Sequence, residues 1–298
     1  MKNVLIIGCG LIGSSILKSI VDKKIAKKIF VFEKSKSNIL KIKKLKLPCE
    51  ITDDFKKIIP NLDLIIFCTP LGTYLKILLK INKYLLPKTI ITDVGSAKEK
   101  SMQLIKKKLK KGIFWTSSHP IAGAEVSGPE HGAKNLFLNK WCILIKEKNT
   151  NKKHIKVLSQ FWKKIGSRVA IMNAKKHDAI FSMTSHLPHL IAYNLIKTAI
   201  DFEKKKKYDL IKFSAGGLRD FSRIAASNEI MWRDVFFDNK KNVIKAIDLF
   251  IQNLRLFKND IQYKKTNSLM KKLSKTKGVR KKILKLKQDV NRPDFGRE

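Results

Sequence analysis

Val4-Leu5-Ile6-Ile7-Gly8-Cys9-Gly10-Leu11-Ile12-Gly13 stands close to the start of the 298-residue chain, and the architecture turns on it. Four consecutive apolar residues with no polar alternation read as a short strand buried on both faces. A Gly-x-Gly-x-x-Gly turn follows at once, and a helical pattern runs on through Ile20. In such a turn Gly8 makes the sharp reversal, Gly10 lets the backbone approach a pyrophosphate, and Gly13 allows close packing of helix on sheet. The phosphate then rests at the helix N-terminus, where free N–H groups and the dipole favour negative charge. The glycine pattern alone is weak, but here a strand precedes it and a helix follows. Twenty residues after Gly13 a second apolar run, Ile29 to Phe32, ends in Glu33. A carboxylate there accepts hydrogen bonds from a ribose hydroxyl and repels a 2′-phosphate, which favours NAD over NADP. Lys34 and Ser35 could greet a phosphate, so NADP stays open.

Working outward, further apolar runs recur at Cys49–Thr52, Leu62–Cys68, Thr89–Thr92 and Ile113–Thr116, with helical segments between most of them. Alternation at this spacing predicts βαβ units and a mostly parallel sheet. Ile143–Ile145 and Arg168–Ile171 are expected to extend the same sheet. From about Ala174 onward the pattern is helical throughout. The fold class is therefore an α/β Rossmann domain followed by an all-α domain, divided as 1–172 and 173–298. The segment Lys264 to Lys287 is lysine-dense and helical in composition, ending in a polar tail at Asn291–Glu298.

Composition narrows the setting. A hydrophobic fraction of 44% supports a sizeable core, and no apolar run reaches membrane-spanning length. Lys2 ahead of a short apolar stretch resembles a leader, but Gly8, Gly10 and Gly13 break that stretch. Cys9, Cys49, Cys68 and Cys142 are scattered without metal-ligand spacing, which suits a reducing cytoplasm. The formal charge of +40 raises nucleic acid as a partner, yet 56 of the 64 basic residues are Lys and they are spread along the chain. Nucleic-acid readers rely on Arg with interleaved aromatics, so a solvated lysine surface is the better reading.

Three loops at strand ends carry the candidate chemistry: Thr69-Pro70-Leu71, Asp93-Val94-Gly95-Ser96 and Ser118-His119-Pro120. In an open α/β sheet such loops face the ligand. The candidate cofactor-binding set is Gly8, Gly10, Leu11, Ile12, Gly13, Glu33, Thr69, Pro70 and Gly95. His119 is the titrating group suited to proton abstraction near neutrality, and Ser96 would orient it or a substrate hydroxyl. Ala122 to Pro129 reads as a loop able to cover the site. In the helical half, Ser185-His186-Leu187-Pro188-His189 puts two histidines three apart on one helix face, with Pro188 at a kink or first turn. No ligand set for a metal completes nearby. Asp220 and Arg223 share a helical face, and Arg223 could grip a carboxylate or sit in an ordinary ion pair.

Taken together, these motifs form a set. Gly8-x-Gly10-x-x-Gly13, Val94-Gly95-Ser96, Ser118-His119-Pro120-Ile121-Ala122-Gly123, Ser185-His186-Leu187-Pro188-His189, Asp220-Phe221-Ser222-Arg223-Ile224-Ala225 and Met231-Trp232-Arg233-Asp234 resemble the prephenate/arogenate (cyclohexadienyl) dehydrogenase family. Gln288-Asp289 and Arg292-Pro293-Asp294-Phe295-Gly296-Arg297 look like the tail of the alphaproteobacterial type. The resemblance implies oxidative decarboxylation of prephenate to 4-hydroxyphenylpyruvate, or of arogenate to tyrosine. It implies that His119 takes the ring hydroxyl proton and that Ser96 bonds that hydroxyl or His119. Arg223 would bind a substrate carboxylate and His189 would contact substrate. His186 and Ser185 would shape the pocket, Asp220 would support it, and Glu125 would help gate it. The second domain would build a homodimer. Many relatives carry Thr where this chain has Ala124. The rival enzyme reading is a β-hydroxyacid dehydrogenase, which would be expected to use a lysine of the helical domain; the rival of another class is a non-catalytic polyanion-binding protein.

Overall fold

The structure, a computed structural model, describes residues 1–286. Strands β1 (Asn3–Ile7), β2 (Lys28–Phe32), β3 (Glu50–Ile51), β4 (Leu64–Phe67) and β5 (Ile90–Asp93) form one parallel sheet in the order β3-β2-β1-β4-β5. Helices α1 (Leu11–Asp22), α2 (Lys36–Lys44), α3 (Phe55–Ile58), α4 (Tyr74–Ile81) and α5 (Glu99–Lys108) lie between and after these strands. The chain leaves β1 toward β2 on one side and returns to β4 on the other. This reversal opens a crevice beyond the carboxyl ends of β1 and β4.

Alternation along β1 explains why its residues are apolar without a break. Val4 and Ile6 pack with Ile16, Leu17, Leu158 and Trp162 on one face, while Leu5 and Ile7 pack with Phe67, Tyr74, Leu78 and Trp232 on the other. Period-two side chains thus fill two cores from a single strand.

Two sequence expectations change here. Ile113–Thr116 does not form a sixth strand: only Trp115 bridges to Ile91, and the Thr116 amide bonds the Ile91 carbonyl at 2.9 Å. The indole of Trp115 turns instead to Asp93 and Ser117, each at 3.1 Å. The strand comes later, as β6 (Ser118–Pro120), so the segment expected to be a loop is itself extended. β6 pairs antiparallel with β7 (Trp141–Ile145), which pairs parallel with β8 (Arg168–Met172) after α6 (Lys152–Lys164). These make a separate three-stranded sheet rather than an extension of the first. β6 is its edge, where Pro120, lacking an N–H, is tolerated.

After β8 every element among the described residues is helical: α7 (Ala174–Phe181), α8 (Leu187–Lys206), α9 (Gly216–Ala225), α10 (Glu229–Asp238), α11 (Lys240–Gln262) and α12 (Thr266–Lys285). α10 is not confined to the helical half, because Trp232 and Val235 join the second core beneath the sheet. Lys287 and the polar tail from Gln288 lie outside the described residues.

Candidate active site

The glycine turn is built as its spacing requires. Gly8 has φ +87°, in the left-handed region that favours glycine, and its amide bonds the Phe32 carbonyl at 2.8 Å. A Cβ on Gly13 would run into the Gly8 carbonyl oxygen, so α1 lies directly on the turn. A Cβ on Gly10 would meet nothing within 4 Å among the described residues. No described side chain caps the N-terminus of α1 either, which leaves its amides available to an anion. Leu11 and Ile12 are half-buried in its first turn. Glu33, at the tip of β2, accepts from the amides of Cys9 and Ser35, each at 2.9 Å, which aims its carboxylate at the turn. Thr69 packs its methyl against Gly8 and exposed Pro70 follows it. Gly95 has a different reason to be glycine: a Cβ there would strike Leu71 and sit 3.0 Å from the Tyr74 hydroxyl.

His119 sits mid-way along β6 and is buried. Its Nδ1 lies 2.8 Å from Nε2 of His177 on α7, and His177 Nδ1 lies 2.8 Å from Asp178 Oδ1. The sequence reading named Ser96 as the orienting group; at Nδ1 that place belongs to His177. Ser96 is half-buried in the loop after β5, and its backbone carbonyl faces His186. Beneath both, Lys98 is fully buried; its Nζ bonds Asp93 Oδ2 at 2.5 Å and the Ser118 carbonyl at 2.7 Å. This pair ties the end of β5 to the residue before His119.

Pro188 shapes the helical contribution. Without an N–H it cannot continue the hydrogen-bond ladder of the preceding turn, and the chain widens into a single π turn over Ser182–His186 before α8 begins. His186 is buried with its Nδ1 3.1 Å from Asn239 Nδ2, while the half-buried His189 stacks on Trp232 with ring centroids 3.8 Å apart. His189 Nδ1 donates to the Ser185 carbonyl at 2.9 Å. Arg223 on α9 is paired with Glu125 of the loop after β6, bridging the two halves, and Asp220 lies one turn earlier on α9. Asp234 on α10 accepts from the Gly72 amide at 3.0 Å, which anchors the loop beyond Pro70 to the helical half.

Burial dominates the electrostatics. It holds His119 well below the ordinary histidine range, helped by the positive fields of His177, Lys98 and His186. His177 is lowered by burial against the opposing pull of Asp178, and His186 is pushed down to about 4 by burial. The cluster is therefore neutral near pH 7. Among the described residues no group of three or more His, Cys, Asp or Glu is placed to hold a metal, and no helix is long and apolar enough to cross a membrane. All four cysteines are free thiols.

His177, Asp178, Lys98 and Asn239 were not singled out from the sequence. The adjacent His177-Asp178 pair was a usable signal, being a titrating group beside an acid at a helix start. Lys98 had none, as one lysine among 56.

Comparison with known proteins accounts for nearly the whole chain. Residues 17–171 match the family model for the prephenate dehydrogenase nucleotide-binding domain, and residues 173–275 that for the prephenate dehydrogenase dimerization domain. The cyclohexadienyl dehydrogenase of Zymomonas mobilis is 31% identical over 288 residues, covering 97% of each chain. The prephenate dehydrogenase of Bacillus subtilis is 29% identical over 279 residues, covering 93% of this chain and 75% of the relative. The crystal structure of the Aquifex aeolicus prephenate dehydrogenase, in complex with hydroxyphenyl propionate and NAD+, superposes with a TM-score of 0.88 at 36% identity, covering 95% and 98% of the two chains. With the two models together spanning residues 17–275 and these relatives matched over nearly their whole length, the chain belongs to the prephenate dehydrogenase family.

Proposed function

We propose that this protein catalyses the NAD-dependent oxidative decarboxylation of prephenate to 4-hydroxyphenylpyruvate, with arogenate, giving tyrosine, as the alternative substrate. The observation that carries the reading is His119: buried, neutral, engaged at Nδ1 by a second histidine, and next to Ser118, whose hydroxyl bonds the carbonyl of Asp93 at the end of β5. A neutral imidazole in that state takes the ring hydroxyl proton at Nε2 as hydride leaves C4, and loss of CO2 with aromatisation drives the step. Ser96 would bond the same hydroxyl.

The residues fit NAD. The open space over Gly10, the uncapped α1 and Glu33 would hold pyrophosphate and ribose, with Leu11, Ile12, Gly13, Thr69, Pro70 and Gly95 around them. When bound, the nicotinamide accepts the hydride. Glu33 favours NAD over NADP, since its fixed carboxylate repels a 2′-phosphate. Arg223 is the carboxylate-binding group of the substrate site, with Asp220 in support. Glu125 occupies Arg223 here and gates it. His189, His186 and Ser185 shape the pocket wall.

The chain divides at residue 172 into a dinucleotide-binding part and a helical part that binds substrate and dimerises. Phe213, Tyr208, Ile211, Leu254 and Ile261 are exposed on the helical part, apolar surface that a second copy of the chain would cover. The free cysteines fit a reducing, cytoplasmic setting. The test is NADH formation followed by absorbance with prephenate and with arogenate, each repeated with NADP. Turnover with either substrate is expected; folded protein that binds NAD but turns over neither would overturn the proposal.

A further inference from the structure

The bonds behind His119 form a directed chain whose polarity can be read from one end. Asp178 Oδ1 accepts from the Lys98 amide and Oδ2 from the Glu99 amide, each at 2.9 Å. These are N-terminal amides of α5, which favour an ionised carboxylate, and an ionised carboxylate only accepts. His177 Nδ1, 2.8 Å from Oδ1, must therefore donate. A neutral imidazole has one donor and one acceptor nitrogen, so His177 Nε2 is the acceptor. His119 Nδ1, 2.8 Å from it, must in turn carry a proton. That leaves His119 Nε2 bare.

We propose that His177 and Asp178 are a positioning relay that locks His119 into its Nδ1–H tautomer, with the lone pair of Nε2 presented to the substrate hydroxyl. The proposal rests on the reading of His119 as the base. In the reaction one proton passes from the hydroxyl to His119 Nε2, and the Nδ1 proton stays where it is. The imidazolium so formed donates into His177 Nε2, and His177 donates into the Asp178 carboxylate, so no proton needs to travel along the relay. Both members come from α7, whereas the base stands on β6. The reactive tautomer is thus set across the two halves of the molecule.

A second bond chain predicts the opposite tautomer nearby. Asn239 Nδ2 donates to the Asp178 carbonyl at 2.8 Å and its Oδ1 accepts from Asn242 at 2.7 Å, which fixes the orientation of the amide. The same Nδ2 faces His186 Nδ1 at 3.1 Å, so His186 accepts there and carries its proton on Nε2.

The test is long-range 1H–15N correlation on full-length protein labelled with 15N-histidine. The chain has six histidines, and a His119→Asn sample assigns the key resonance. His119 and His177 are expected as Nδ1–H tautomers and His186 as Nε2–H. A wild-type His119 that is Nε2–H would overturn the proposal, whether or not any substrate turns over. Kinetics supply the second arm. His177→Phe keeps the ring packing against Phe181 but offers His119 no acceptor. It should lower kcat about 10- to 100-fold while leaving KM and NAD binding within about twofold. His177→Gln, which can accept from His119 and donate to Asp178, should recover most of the loss. Equal kcat in wild type and the Phe variant, or no recovery with Gln, would overturn the relay. Should the Phe variant fail to fold, the wild-type spectrum and the Gln variant still decide.

Discussion

Lys98→Met removes the one positive charge that pairs with Asp93 among the described residues, at a fully buried contact. Methionine keeps the length of the aliphatic stem, so the change isolates the ammonium. Breaking a buried ion pair from one side costs about 3–5 kcal/mol, because the remaining charge stays desolvated. Asp93 would not be left bare: Trp115 Nε1 at 3.1 Å and the Gly95 amide at 3.0 Å still donate to it. The Ser118 carbonyl loses its bond from Nζ outright. The retained donors place the expected loss near the lower end, at about 3 kcal/mol, or a fall in Tm of roughly 6–12 °C for a chain of this size. Asp93→Asn alone strands the ammonium instead and should cost at least as much. The double variant removes both charges while Asn keeps an acceptor for Trp115, so it should be less destabilised than either single change. Urea denaturation of the three variants gives the cycle. Additive costs, or a Lys98→Met loss under about 1 kcal/mol, would refute the argument that this pair is electrostatically coupled. A kinetic consequence follows from the same geometry. Lys98 helps depress His119, so its removal should move the acidic limb of kcat/KM upward in pH.

Two further outcomes follow from the site. Burial lowers His119, His154, His177, His186 and His189 below the ordinary histidine value, so the unfolded chain binds more protons than the folded one as pH falls. Stability should be complete above about pH 7 and lost progressively below 6.5; His186, held to about 4, alone accounts for about 3 kcal/mol by pH 4, and a denaturation midpoint that is flat from pH 7 to 5 would contradict this. Gly13→Ala should destabilise by about 1–3 kcal/mol and weaken NAD binding, because its Cβ meets the Gly8 carbonyl, whereas Gly10→Ala, with open space beside it, should keep stability within about 1 kcal/mol and lose only NAD affinity; thermal melts and an NAD titration separate the two.

The strands around β1 were readable because a parallel strand buried on both faces is apolar at every position, and Val4–Ile7 and Leu64–Phe67 obey this. The glycines were readable because backbone geometry admits few residues at Gly8 and Gly13. The strand β6 was not. It is three residues long, ends in proline and is polar at its start, so nothing in its composition distinguishes it from a loop. Its existence depends on Leu144, Ile143 and Cys142, which lie more than twenty residues later. Ile113–Thr116 failed for the complementary reason. It is apolar enough for a strand, but β5 offers it pairing at Ile91 alone. His119 was found as a candidate base from its motif, while its orienting partner came from α7, at a sequence separation no local pattern spans.

The long-range character of these contacts bears on how the two halves work together. The helical half supplies more than a surface to the dinucleotide-binding half. Asp178 caps α5, Asp234 holds the Gly72 amide in the loop beyond Pro70, and Trp232 and Val235 fill the core under the sheet. Each of these contacts reaches an element that either presents a strand-end loop or directly follows one. A small rotation of the halves would therefore disturb the Pro70 loop, the Ser96 loop and the tautomer of His119 together. Arg223 and Glu125 are the contrasting case, an ion pair between the halves whose members are both partly exposed and which is correspondingly weak. The buried contacts fix His119 and the strand-end loops, and the weak one is left at the group proposed to receive the substrate carboxylate. In this division the pair at Arg223 is the one that an arriving carboxylate can exchange without disturbing the base.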